Sequence, residues 1–193
     1  MSEQVHRFSP ENMHRLDAPE RQKLMPSKQL LDMVLQTQDT VVDLGAGTGY
    51  FSIPAAQMTN GTVYAVDVEP KLLEVIQERA EEKGLSNIIP ITGVIEDIPL
   101  QDSMADVVIA SLVLHAVRPL SHSLREIHRI MKNEGKLLCL DFEPKESPMG
   151  PPMNLRIASE DMTNALNAAG FTVTKRMYPS EFLYVFVAEK PGF

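Results

Sequence analysis

The chain reads as a doubly wound α/β fold, a mostly parallel sheet with helices on both faces. Three observations predict it. Strand-like and helix-like segments alternate five times from residue 40 to 142, the pattern of repeated βαβ units. A glycine-rich turn, Gly45-Ala46-Gly47-Thr48-Gly49, follows the first apolar run directly. The chain then finishes with a helix and two strand-like runs only four residues apart, too close for a crossover, so one of them runs antiparallel.

The elements follow in order. Residues 1–26 are polar and punctuated by Pro10, Pro19 and Pro26. They read as an arm, either loosely packed or a lid docked through Phe8, Met13, Leu16, Leu24 and Met25, and residues 27–193 form the domain proper. A helix opens at Pro26-Ser27, with Leu30, Leu31, Val34 and Leu35 on one face. Val41, Val42 and Leu44 make a buried strand around Asp43. The glycines after it permit positive φ and let a ligand lie against bare backbone. A helix through Phe51, Ile53, Ala55, Ala56 and Met58 points its N-terminal N–H groups at that turn and stops at Asn60-Gly61.

A second strand, Thr62 to Val68, ends in Asp67, and Pro70 starts a helix that stops at Gly84. Ile88 to Thr92 and the apolar Ala105 to Leu112 are the third and fourth strands. A helix from Pro119 to Met131, a turn at Lys132–Gly135 and a fifth strand from Lys136 to Phe142 follow. The segment Glu146 to Pro152, ESPMGPP, is a loop because its prolines exclude regular structure. Ser159 is placed to cap a helix to about Ala169, and Phe171–Met177 and Phe182–Ala188 form the closing hairpin around Tyr178–Glu181.

Composition sets limits. With 193 residues, 44% hydrophobic and 23% charged, the chain suits one globular domain. A net charge of −8 with no Lys/Arg cluster argues against nucleic acid as a partner. One cysteine, Cys139, fits a reducing, cytoplasmic setting, and no apolar run is long enough to span a membrane. The five histidines show no metal-ligand spacing, so no metal site is expected.

Asp67 stands 22 residues after Gly45, the separation at which an acidic group meets ribose hydroxyls in nucleotide-binding sheets. For Asp43 two readings stand together: a buried acid held by the loop, and a partner for a ligand's ammonium. The glycine spacing then separates cofactors. A dinucleotide turn reads G-x-G-x-x-G, whereas here the third glycine comes one residue early, as G-A-G-T-G after Asp43-Leu44. An NAD-dependent oxidoreductase is the alternative that this spacing and the hairpin disfavour. Asp141 and Glu143, flanking Phe142, read either as facing an acceptor or as an edge of solvated carboxylates.

DLGAGTGYF resembles the first motif of the class I S-adenosylmethionine (SAM)-dependent methyltransferases, and VYAVDVEPKLL resembles the next. IPLQDSMADVVIASLVLHAV and LREIHRIMKNEGKLLCLDF are similar to the fourth- and fifth-strand motifs of the ubiquinone/menaquinone-methyltransferase-like branch, the likeness covering residues 26–188. It implies a Rossmann-like seven-stranded sheet of order 3-2-1-4-5-7-6 with strand 7 antiparallel. It implies SAM as cofactor, S-adenosylhomocysteine (SAH) as product and a small-molecule methyl acceptor; a non-catalytic SAM-binding protein is the competing reading. By the same likeness Gly45, Ala46 and Gly47 back the methionine part, with Asp43 near its amino group. Asp67 holds the ribose, and Val68 packs on the adenine. Val94 stands where the family places an acidic side chain, so the adenine amine falls to Glu96 or Asp97 and the ring nitrogen to the Ile95 N–H. Ser111 and Leu112 lie under the sulfonium. From its own position just past the fourth strand, His115 reads either as a base for the acceptor or as a structural histidine at a strand–helix corner.

Overall fold

The computed structural model describes residues 19–192. His6, Phe8, Met13, His14 and Leu16, and with them most of the expected arm, lie outside the described residues. Helix α1 (Pro19–Leu24) and α2 (Ser27–Leu31) precede β1 (Val41–Leu44). Then come α3 (Ser52–Met58), β2 (Val63–Asp67), α4 (Pro70–Glu82), β3 (Ile88–Thr92) and β4 (Ala105–Ser111). A single 3-10 turn, Leu114–Ala116, leads to α5 (Leu120–Ile130), and β5 (Met131–Phe142) follows it. The chain closes with α6 (Ser159–Ala168), β6 (Thr172–Ser180) and β7 (Leu183–Glu189).

The seven strands form one sheet of order β3-β2-β1-β4-β5-β7-β6. β1 to β5 pair in parallel, and β7 runs antiparallel to both β5 and β6. The expected fold is therefore the observed one. Alternate residues of the central strands feed two cores. Leu44, Val108, Cys139 and Tyr184 pack with α5 and α6 on one face. Val41, Ile109, Leu138 and Val185 pack with Met25, Leu31 and Phe51 on the other.

Several boundaries differ from those the sequence suggests. The helix after the glycine turn starts at Ser52 rather than Phe51, and α2 ends at Leu31, although Val34 is still buried. Residues 132–135 are counted inside β5, but they bulge: Ala105 pairs with Met131 and Val107 with Lys136, and Glu134 takes φ 63. The expected turn is thus an insertion in the strand. β6 runs on through Pro179 to Ser180, because an edge strand tolerates a proline that lacks an N–H. Ser159 is the first helical residue rather than the cap; its N–H donates to the Glu143 carboxylate at 3.1 Å. That contact also corrects the reading of Asp141 and Glu143 as solvated, since both are buried.

Candidate active site

The site forms where β1, β2 and β4 end. Gly45, Gly47 and Gly49 have φ of 66, 57 and 86°, the left-handed region that side chains disfavour. With that freedom the turn folds back on β2. The N–H groups of Gly45 and Ala46 donate to the Val66 carbonyl at 2.8 and 3.0 Å, and the Gly47 N–H donates to Asp67 Oδ2 at 2.8 Å. The Glu69 N–H donates to Asp67 Oδ1 at 3.0 Å. Two backbone donors thus fix the buried Asp67 carboxylate at the end of β2, and each oxygen keeps a second lone pair for a hydroxyl.

Asp43 lies beneath the turn, only 2% exposed. The Ser52 hydroxyl donates to its Oδ2 at 2.6 Å. Burial pushes this carboxyl up to about 7, against the opposing pull of Ser52 and of the Arg21 guanidinium. Asp43 is thus a buried acid, held by Ser52 at the start of α3.

Val68 is 38% exposed next to Asp67, an apolar side chain left open at the mouth of β2. Ile95 is buried and Glu96 half-buried, while Val94 bridges to Asp97 in a tight turn. Ser111 ends β4 with its buried hydroxyl lacking a hydrogen-bond partner among the described residues. Leu112 takes φ 56, which turns the chain so that Val113 presses on the glycine turn. A Cβ on Gly45 would come within 2.6 Å of Val113 Cγ2.

His115, on the 3-10 turn after β4, is 7% exposed. Its Nδ1 donates to Asp141 Oδ1 at 2.9 Å, and its backbone N–H donates to Oδ2 at 3.0 Å. The Phe142 N–H also donates to Asp141 Oδ1, at 2.8 Å. Asp141 is thus the residue that sets the His115 tautomer. The sequence singled it out only as a strand-end acid.

Arg21 is the contact that carried no signal in the sequence. It stacks on Tyr50, its guanidinium carbon 4.1 Å from the ring centroid. The Tyr50 hydroxyl donates to the Met25 carbonyl at 2.7 Å, which bolts α1 to the glycine turn. Among the described residues no group of His, Cys, Asp and Glu is arranged to hold a metal ion, and no helix is long and apolar enough to cross a membrane.

Strand order, the glycine turn and the acidic residue at the end of β2 together define a class I SAM-dependent methyltransferase fold. The chain belongs to the methyltransferase domain family, whose model matches residues 35–181. It is 27% identical over 149 residues to a demethylmenaquinone methyltransferase of Alkalihalophilus pseudofirmus, an alignment spanning 77% of this chain and 59% of that protein. It is 34% identical over 105 residues to a ubiquinone/menaquinone biosynthesis C-methyltransferase of Blochmanniella pennsylvanica, covering 53% of this chain and 41% of that one. The chain spans about half the length of the curated relatives it matches. A SAM-dependent methyltransferase structure from Aquifex aeolicus superimposes with a TM-score of 0.87 at 24% identity, over 95% of this chain and all of that one.

Proposed function

We propose that the protein transfers a methyl group from SAM to a small, partly apolar acceptor. The observation that carries this reading is the cradle in which the Gly47 N–H and the Glu69 N–H hold Asp67 beside a turn of positive-φ glycines. A carboxylate so fixed accepts from two vicinal ribose hydroxyls. Asp43, against Gly45, Ala46 and Gly47, takes the ligand's ammonium. Val68 and Ile95 border the adenine, the Ile95 N–H reaches a ring nitrogen, and Glu96 or Asp97 accepts from the amine. Ser111 and Leu112 lie under the sulfur.

SAM supplies a methyl bonded to a positively charged sulfur, so transfer is an in-line displacement. The protein's part is to align the acceptor and exclude water, and alignment alone is worth up to ~7–11 kcal/mol. Where the acceptor arrives protonated, His115 is the base: Asp141 holds the Nδ1 proton, so Nε2 is the nitrogen that accepts.

Relatives named for quinone methylation support an apolar ring as the acceptor. Residues 19–25 and the loop 146–152 are its natural walls. The single buried Cys139 is in keeping with the cytoplasm as the place of action.

The test is a label-transfer assay with methyl-labelled SAM, presenting demethylmenaquinone, substituted phenols and a small-metabolite extract. Label in an organic-soluble product with matching SAH release supports the reading. Tight SAH binding with no label transferred to any acceptor would move the protein to a non-catalytic SAM binder.

A further inference from the structure

The loop between β5 and α6 has no ladder to satisfy its backbone, and Pro144, Pro148, Pro151 and Pro152 keep it irregular. Its carbonyls converge instead on one side chain. Arg156 Nε donates to the Pro151 carbonyl at 2.9 Å, and Nη2 donates to that of Met149 at 3.3 Å. Nη1 donates to the carbonyls of Lys145 and, at 3.4 Å, Glu143. The two ends of the loop also meet, since the Ser159 N–H donates to the Glu143 carboxylate. Water satisfies a loop carbonyl at the surface nearly as well. What the guanidinium adds is therefore a fixed shape more than stability.

That shape is moulded on Phe142, the last residue of β5. The Arg156 guanidinium carbon lies 5.2 Å from its ring centroid, and Phe182 stacks at 6.0 Å. Gly150 takes φ 109, and a Cβ there would stand 2.9 to 3.0 Å from the Phe142 ring. Phe142 follows Asp141, the residue that orients His115, and Leu140 pairs with Ser111 across β4 and β5. The loop thus springs from the strand end that holds the candidate base. Met149 and Leu112 pack against the apolar cluster that contains Phe142, which draws the loop towards the end of β4.

We propose that Arg156 is a positioning residue for the methyl acceptor: by gripping four carbonyls of the loop, it fixes the acceptor's wall against Phe142. This rests on the methyltransferase reading above. The cofactor half is built on the ends of β1, β2 and β4, to which Arg156 makes no hydrogen bond among the described residues. SAM binding is therefore independent of it.

Steady-state rates with methyl-labelled SAM test this, with demethylmenaquinone, 4-ethylphenol and a small-metabolite extract as acceptors, alongside calorimetric titration with SAH. In the extract, the dilution at half-maximal rate stands for KM. Arg156→Met is expected to lower kcat/KM for the acceptor about tenfold or more, chiefly by raising its KM. SAM KM and SAH affinity stay within about twofold of wild type. Arg156→Lys keeps the charge without the fork and is expected not to restore the acceptor KM. Gly150→Ala, which pushes the loop off Phe142 with Arg156 intact, is expected to reproduce the defect. SAH binding also reports folding, and Gly150→Ala alone decides the matter if Arg156→Met does not fold.

An acceptor KM unchanged in Arg156→Met, or restored by Arg156→Lys, would overturn the assignment. So would SAH affinity falling in step with the acceptor KM, which would make Arg156 a general support of the fold. A defect in Arg156→Met that Gly150→Ala lacks would overturn it as well, moving Arg156 onto the acceptor itself. Wild-type protein that binds SAH yet labels none of the acceptors would remove the methyltransferase reading, and the assignment with it.

Discussion

His115 Nδ1 lies 2.9 Å from Asp141 Oδ1, and the backbone N–H of the same histidine reaches Oδ2 at 3.0 Å. One fully buried carboxylate thus holds the turn after β4 to the end of β5 and also orients the imidazole. With the Phe142 N–H it satisfies three buried donors, each costing about 1–3 kcal/mol if orphaned. Asp141→Ala is therefore expected to lose about 3 kcal/mol or more of stability, read from urea denaturation. His115→Ala, which leaves the two backbone donors in place, is expected to lose less.

The same pair carries the proposed base. His115→Gln is expected to lower the rate of methyl transfer to a protonated acceptor by about 10²-fold or more, leaving SAH affinity unchanged. Equal rates in the two proteins across pH 6–9 would restrict His115 to holding the turn.

Gly45 and Val113 press together, and φ at Gly45 is 66°. Gly45→Ala is expected to lose about 1–2 kcal/mol from the left-handed backbone alone, with further loss from the contact. Val113→Ala added to it should return the second part but not the first. Denaturation midpoints of the single and double variants separate the two contributions.

Asp43 gives the site a pH dependence. Its carboxyl stands at about 7 in the folded chain against 3.8 for the free group, so the folded state holds the proton more tightly. The stability this contributes is fully present below about 3.8 and is lost as pH rises through about 7. Its ligand needs the opposite form, since only the ionised carboxylate pairs with an ammonium. Thermal stabilisation by SAH is therefore expected to grow between pH 6 and 8 as the apo midpoint falls. Asp43→Asn should flatten both trends.

The fold was legible because its signals are local: glycines and prolines punctuate it, and strands such as Ala105–Ser111 are apolar throughout. The position of β7 between β5 and β6 came with the family likeness, since a short hairpin alone does not say which strand pairs inward. Within the site, Asp43, Gly45 to Gly47 and Asp67 were readable because they share one motif and one fixed spacing. Asp141 was seen only as a strand-end acid, for its partner His115 is 26 residues away and the bond depends on how β4 and β5 register. Arg21 was invisible, being one basic residue in a polar arm. The N–H groups of Gly45, Ala46 and Gly47 fold back onto β2, a use with no signal in the sequence, because a strand end with an open carbonyl and a carboxylate takes them.

The central claim is that the cradle around Asp67 is built for an adenosyl-methionine ligand rather than a dinucleotide. Calorimetric titration of the wild-type chain and Asp67→Ala with SAH and with NADH tests it most directly. The account predicts one SAH site per chain, no heat from NADH, and SAH affinity about tenfold or more weaker in Asp67→Ala. NADH binding in place of SAH, or SAH binding indifferent to the loss of the Asp67 carboxylate, would contradict it.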